Sequence, residues 1–261
     1  MKVGVERQID GSAGDANYAL IGPGYSRYRQ PEPRIAALID AALGDARTVL
    51  NVGAGAGSYE PLGRQVVAVE PSASMRSQRP SHLAAAIDGV AEALPFDDLH
   101  FDAGMATFTV HQWADLRTGL SEMRRVTRGP IAILSCDPAE VENFWLNAYA
   151  PDVLATEARR YPGIAAIISG LGGTAEVVPV KIPLNCRDGF NEAYYGRPER
   201  LLDEEARLAC SAWSFVERAI TQRYVEALLL DLDSGGWDRK YGYLRTRPEY
   251  DGSLRLIISH R

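Results

Sequence analysis

The sequence predicts an α/β fold: a mostly parallel, seven-stranded sheet with helices on both faces and a mainly helical insertion between the last strands. Three observations predict it. Short buried-strand patterns alternate with helical ones from residue 34 to 135, as in parallel strands joined by right-handed helical crossovers. One strand runs into a glycine-rich turn, and the next ends in an acid. Beyond Pro138 the pattern turns largely helical, with strand patterns returning at Ala175–Ile182 and Leu254–Ser259.

The elements follow in order. Residues 11–30, rich in Gly, Tyr and Arg, read as an irregular arm. Pro31 and Pro33 open a periodic stretch, Arg34–Leu43, which reads as a helix stopped by Gly44. Thr48–Val52 is a short buried strand entering the turn Gly53–Gly57, and Val66–Glu70 is the next, followed by a short helix around Ser72–Arg76. Leu83–Val90 is expected to be a third strand and Phe101–Thr107 a fourth. Leu116–Val126 is a helix with Leu116, Leu120, Met123 and Val126 on one face. Gly129-Pro130 then turns the chain into a fifth strand, Ile131–Ser135. Val141–Leu154, Thr156–Arg160 and Ile164–Leu171 read as helices. Residues 183–240 form the insertion, which by its length suits a lid or pocket wall. The chain reads as one domain, 1–261. It comprises an arm (1–33), a cofactor-binding half (34–137) and a substrate-side half (138–261).

Composition narrows the function. The net charge is −6 and the pI about 5.3, whereas a general nucleic-acid binder carries a basic stripe. No stretch approaches the roughly 18 apolar residues of a membrane span, and Met1–Asp10 lacks the apolar core of a signal peptide. Cys136, Cys186 and Cys210 have neither disulfide-framework nor zinc spacing, so no metal is expected. The expectation is a cytoplasmic enzyme, monomer or homodimer, acting on a small molecule, with no nucleic-acid or membrane partner.

The run Val49-Leu50-Asn51-Val52-Gly53-Ala54-Gly55-Ala56-Gly57 is a strand followed by GxGxG. Its glycines permit a tight turn and close backbone approach to a ligand. Glu70, ending the next strand, can accept both hydroxyls of a ribose. Together they indicate a nucleoside cofactor. A dinucleotide loop places its third glycine one position later, where this chain has Ser58. Lysine occurs only at 2, 181 and 240, with no Tyr-x-x-x-Lys pair, which disfavours a nicotinamide oxidoreductase.

On these residues the chain resembles the class I, Rossmann-like S-adenosylmethionine-dependent methyltransferases, specifically the type 11 group. Residues 49–57 look like that family's first motif and Val69-Glu70-Pro71-Ser72-Ala73-Ser74-Met75 like its second. Gly89-Val-Ala-Glu-Ala-Leu-Pro-Phe96 with Phe101-Asp102 looks like the passage that walls the adenine. Val110-His-Gln-Trp113 and Glu122-Met-Arg-Arg-Val126 complete a match over about residues 48–136, five motifs in the family order. The resemblance implies S-adenosylmethionine as cofactor. The implied site residues are Asn51, Gly53, Ala54, Gly55, Gly57, Glu70, Pro71, Met75, Ala91, Glu92, Thr107 and Phe108, with Tyr18, Tyr25 and Arg29 closing over the carboxylate end. Asn51 departs from the family's usual acid and Val90 from its adenine-binding Asp. The segment Ile182–Phe190 looks like a subgroup of bacterial relatives whose substrates are mostly unassigned, and it brings no substrate with it; apart from that segment, the expected acceptor is a small molecule of secondary-metabolite type.

The implied reaction is methyl transfer to O, N or C of a small acceptor by in-line displacement. The alternative is a relative that binds the same cofactor but rearranges or cyclises its substrate, or only binds. A base is needed only where the acceptor must lose a proton. His111, just past the fourth strand, and Asp137, just past the fifth, are the candidates. Packing beside the adenine competes for His111, and a helix-cap role competes for Asp137. Asp188 faces the pocket or serves a turn. Trp113, Trp145, Tyr149, Tyr194 and Tyr195 are candidates to line the acceptor pocket, together with Phe144 and Trp213, against the alternative that they form the core of the inserted helices.

Overall fold

The computed structural model describes Gly14, Ala16 and residues 24–261. Tyr18 lies outside the described residues. The elements are α1 (Tyr25–Tyr28), α2 (Pro33–Ala42), β1 (Thr48–Val52), β2 (Gln65–Val69), α3 (Ala73–Ser77), β3 (Ala103–Thr107), α4 (Leu116–Val126), β4 (Ile131–Cys136) and α5 (Pro138–Val141). There follow α6 (Pro151–Arg160), α7 (Ile164–Gly170), β5 (Glu176–Pro183), α8 (Glu204–Leu208), α9 (Arg218–Asp233), α10 (Gly236–Tyr241) and β6 (Glu249–Ser259), with several 3-10 turns between them.

The strands form one sheet in the order β2-β1-β3-β4-β6-β5. β2, β1, β3 and β4 run parallel, and β6 pairs antiparallel with both β4 and β5. Successive strand residues face opposite sides, and the two sides bury different cores. Val49, Met105, Leu134 and Leu256 pack with Ile35 and Ile39 of α2 and with Trp145 and Trp237. Their neighbours Leu50, Ala106, Ile133 and Ile257 pack with Leu120 and Met123 of α4 and Ile167 of α7. Helices therefore cover both faces, and the helical insertion lies between β5 and β6, where the sequence puts it. After β1 the chain places β2 on one side and β3 on the other, so a crevice opens at their carboxyl ends, the usual ligand position in such sheets.

Two expectations are corrected. The sheet has six strands, because the expected strand Leu83–Val90 contributes a single parallel bridge, Ile87 to Val69. Its alanine run is a weak strand former, the segment is largely solvent-exposed at the sheet edge, and Asp88-Gly89 bends away after one residue. The expected helix Val141–Leu154 is broken into α5, a 3-10 turn (Trp145–Ala148) and the start of α6. Pro151 has no N–H to continue a helix, and Ala150 before it is held at φ −129°, ψ 61°. Among the described residues, no helix is long and apolar enough to cross a membrane, and no group of three or more His, Cys, Asp or Glu is placed to hold a metal.

Candidate active site

The glycine turn curls back onto the end of β2. Gly53 and Ala54 both donate their N–H to the Val69 carbonyl, at 2.8 and 3.0 Å. Gly53, Gly55 and Gly57 all have positive φ, 68°, 52° and 93°, which excludes most side chains. Glu70 closes the turn from the other side. Its Oε2 accepts the Gly55 N–H at 2.7 Å and its Oε1 the Ser72 N–H at 2.8 Å. Burial pushes the Glu70 carboxyl up, against the opposing pull of those two N–H donors.

A cavity open to solvent lies over this turn. Gly53, Ala54, Gly55, Glu70, Pro71, Met75, Ala91, Glu92, Thr107 and Phe108 line it, with Tyr25 and Arg29 from the arm. Trp113 lines it too, its ring against Ala91 and Gly119. Two buried polar atoms in this wall, Glu92 Oε2 and Trp113 Nε1, have no hydrogen-bond partner among the described residues.

Arg29 reaches the cavity under tight constraint. Its guanidinium makes a two-point contact with the buried Asp188, Nε to Oδ1 at 2.5 Å and Nη2 to Oδ2 at 3.3 Å. It also lies over the Phe108 ring, 4.9 Å from the centroid. Tyr59 donates its hydroxyl to Asp188 Oδ2 at 2.9 Å. Asp188 is thus a counter-ion, neither a pocket wall nor a turn residue. Phe108 itself holds a positive φ of 52°, a strained conformation of the kind that clusters at functional sites.

A second, smaller cavity adjoins the first, sharing Tyr25, Arg29 and Phe108. His111, Glu157, Arg160, Tyr161 and Phe190 complete much of its wall. The His111 ring lies 4.5 Å from that of Tyr161. Burial, then Arg160 and Arg29, hold its imidazole down at about 3, so it is neutral at pH 7 but a weak base. Burial instead pushes the Glu157 carboxyl up, against Asn191, Arg160 and Arg29.

A family model described as a methyltransferase domain matches residues 50–130. A solved chain from Anabaena variabilis ATCC 29413, named for a methyltransferase from an antibiotic biosynthesis pathway, is 30% identical with a TM-score of 0.83. The similarity spans 90% of this chain and 99% of that one. The chain belongs to the class I S-adenosylmethionine-dependent methyltransferases. S-adenosylmethionine is therefore its cofactor. Two more distant structures share the fold. One, from Thermotoga maritima and named as a SAM-dependent methyltransferase, is 15% identical over 93% of this chain and 92% of that one, TM-score 0.51. The other, from Galdieria sulphuraria and named for a sarcosine dimethylglycine methyltransferase, is 11% identical over 87% and 85%, TM-score 0.52. No curated protein matches.

Not every residue expected at the methyltransferase site lines it. Asn51 is fully buried behind the glycine turn, where its Nδ2 donates to Glu60 Oε1 at 3.0 Å. Gly57 lines a surface groove beside the turn rather than the cavity, because the chain has already turned outward there. Asp137 caps α5, accepting the Ala139 N–H at 3.1 Å, and lines neither cavity. Trp145 and Tyr149 are core: Trp145 Nε1 donates to the Tyr195 carbonyl, its ring meets Trp237 at 5.4 Å, and the Tyr149 hydroxyl donates to Asp231. Tyr195 stacks on Tyr250 at 5.1 Å. Tyr194 lines a different surface groove with Arg197. Phe144 is buried against Trp145 and Tyr250. The inserted helices needed these rings for their own core.

Sequence reasoning missed Tyr59, Thr109 and Gln112 in the first cavity and Glu157, Arg160, Tyr161 and Phe190 in the second. Glu157 carried a signal. It lies one helical turn beyond the buried Val153 on α6, so the spacing puts a carboxylate on the apolar face of that helix.

Proposed function

We propose that the chain transfers a methyl group from S-adenosylmethionine in the first cavity to a small-molecule acceptor in the second, as one methyltransferase domain spanning residues 1–261. The observation that carries this reading is the contact between the two cavities at Tyr25, Arg29 and Phe108. Methyl transfer requires donor and acceptor to meet in line, away from water, and adjoining cavities with a shared wall supply that arrangement. The name of the Anabaena variabilis chain supports an acceptor of secondary-metabolite type.

The residues of the first cavity fit the cofactor. A Cβ at Gly53 would stand 2.0 Å from Thr109 Oγ1, so only a bare backbone leaves this wall open. Glu70 spends one lone pair per oxygen on backbone N–H groups, and a carboxylate has about four such sites. Those remaining suit the ribose hydroxyls. Glu92 Oε2 and Trp113 Nε1, orphaned in the wall, suit the polar edge of the adenine. Arg29 and Tyr25 would orient the carboxylate end. When bound, the cofactor supplies a methyl group already activated by its sulfonium.

Calorimetric titration with adenosylhomocysteine tests the reading. The wild type should bind; Gly55→Val should fold but lose binding, because position 55 has φ 52° and its Cβ would meet Met75 at 3.3 Å. Full binding by a folded Gly55→Val protein would sink the assignment of the first cavity. Release of adenosylhomocysteine from S-adenosylmethionine only when an acceptor is added separates methyl transfer from a rearrangement.

A further inference from the structure

We propose that the second cavity takes a small aromatic acceptor bearing a hydroxyl group, and that Glu157 is the base that accepts the hydroxyl proton as the oxygen is methylated. This rests on the reading above that the acceptor occupies the second cavity.

The carboxyl of Glu157 is held in one orientation. The Trp213 indole N–H, which can only donate, gives its hydrogen to Asn191 Oδ1 at 2.9 Å. That fixes the amide so that Asn191 Nδ2 donates to Glu157 Oε2 at 2.7 Å. Glu157 Oε1 takes no hydrogen bond from the described residues, and the side chain lines the cavity. The result is a carboxylate with one oxygen anchored and one available.

The rest of the wall selects the acceptor. The rings of Tyr25, Phe108, Tyr161 and Phe190 suit a flat aromatic group. Arg29 is matched by Asp188, and Glu157 lies within the field of Arg160 and Arg29. His111, Tyr161, Cys136, Cys210 and Glu192 also stand around this region, the buried Tyr161 and thiols being held above their usual ranges. A neutral hydroxyl enters such a site without adding net charge.

The step balances. A lone pair of the acceptor oxygen forms the new bond to the methyl carbon. The carbon–sulfur bond breaks with its electron pair left on sulfur. The hydroxyl proton passes to Glu157, which becomes a neutral acid and returns the proton to water after the aryl methyl ether leaves.

Binding of para-nitrophenol to the protein saturated with adenosylhomocysteine tests this, because the neutral and ionised probe absorb differently. The wild type should bind the neutral form, with affinity falling as pH rises through the probe's own pKa. Glu157→Gln keeps the shape but removes the carboxylate's negative charge. It should bind the neutral probe about tenfold more weakly, having lost a charge-assisted hydrogen bond, and should discriminate less against the ionised form, flattening the pH dependence. Asn191→Leu should weaken neutral-probe binding less and keep the wild-type pH dependence. Equal affinity and pH dependence in wild type and Glu157→Gln overturns the proposal. So does failure of the adenosylhomocysteine-saturated wild type to bind the probe. Failure of adenosylhomocysteine itself to bind overturns the underlying reading first, and the calorimetric trace shows it separately.

Discussion

Arg29 and Asp188, 159 positions apart in sequence, share a buried two-point ion pair and an antiparallel backbone bridge. The pair joins the segment that enters the first cavity to the loop after β5, and the Gly189 N–H to Tyr28 carbonyl bond at 2.8 Å reinforces the junction. The Tyr59 hydroxyl ties the same carboxylate to the glycine turn side. One carboxylate thus aligns three stretches of chain that meet at the cofactor cavity.

Removing one partner of such a pair strands the other charge away from water. Asp188→Ala is expected to cost about 3–5 kcal/mol of folding stability, read by urea denaturation. Arg29→Ala/Asp188→Ala should lose clearly less than the sum of the single changes. Affinity for adenosylhomocysteine should fall in both single variants, because Arg29 loses its support or is absent. Additive losses in the cycle would mean that the two residues do not act as a pair.

Gly53 and Gly44 separate backbone strain from site blockage. Both have positive φ, 68° and 57°, so an Ala at either is strained by about 1 kcal/mol. Only at Gly53 does the new Cβ collide, 2.0 Å from Thr109 Oγ1; at Gly44 nothing lies within 4 Å. Gly44→Ala should therefore melt slightly earlier and bind adenosylhomocysteine normally. Gly53→Ala should lose binding, as calorimetry would show. Equal binding by both variants would remove the argument for close backbone approach.

The parallel half and its glycine turn were legible because local rules and tertiary position agree there. Leu116–Val126 has an apolar face, and Asp115 caps it by accepting the Thr118 N–H. Glu70 follows β2 at the sheet's switch point, beside the glycine turn whose Gly55 N–H it accepts. The insertion was legible only as helical. A buried Trp237 and a cavity-lining Tyr161 have the same signature in sequence, and only tertiary packing, such as that of α6 against the 3-10 turn Ser211–Phe215, separates them. Glu157 showed its place on the apolar face of α6 but not its surroundings: it is oriented by Asn191 and Trp213, which lie on turns without periodicity. The missing edge strand reflects tertiary cost, since one bridge at an exposed edge did not outweigh a turn at Asp88-Gly89.

His111 should not titrate in the physiological range. With its imidazole held at about 3 by burial, Arg160 and Arg29, it stays neutral from pH 5 to 8. A depressed folded-state pKa favours the fold above the unfolded value near 6.5 and loses that contribution as pH falls toward the folded value. Imidazole resonances assigned by comparison with His111→Phe should stay unshifted across that range. A midpoint near 6.5 would restore His111 as a base candidate in competition with Glu157.

Glu192 sets an opposite dependence. It is buried where the 3-10 turn Asn191–Tyr194 meets β6, accepting the Ser253 N–H at 2.9 Å and the Ser253 hydroxyl at 2.9 Å. Burial pushes its carboxyl up to about 7 from 4.5, against those donors. Between these values the folded chain keeps a proton that the unfolded chain has lost. Its contribution is therefore complete below the unfolded value and is lost as pH rises through about 7, a swing of about 3 kcal/mol. Glu192→Gln cannot ionise. Its stability relative to wild type should rise by that amount between pH 4.5 and pH 7.5 in urea denaturation. A constant difference across the range would mean that Glu192 ionises freely in the fold, held by Ser253 alone.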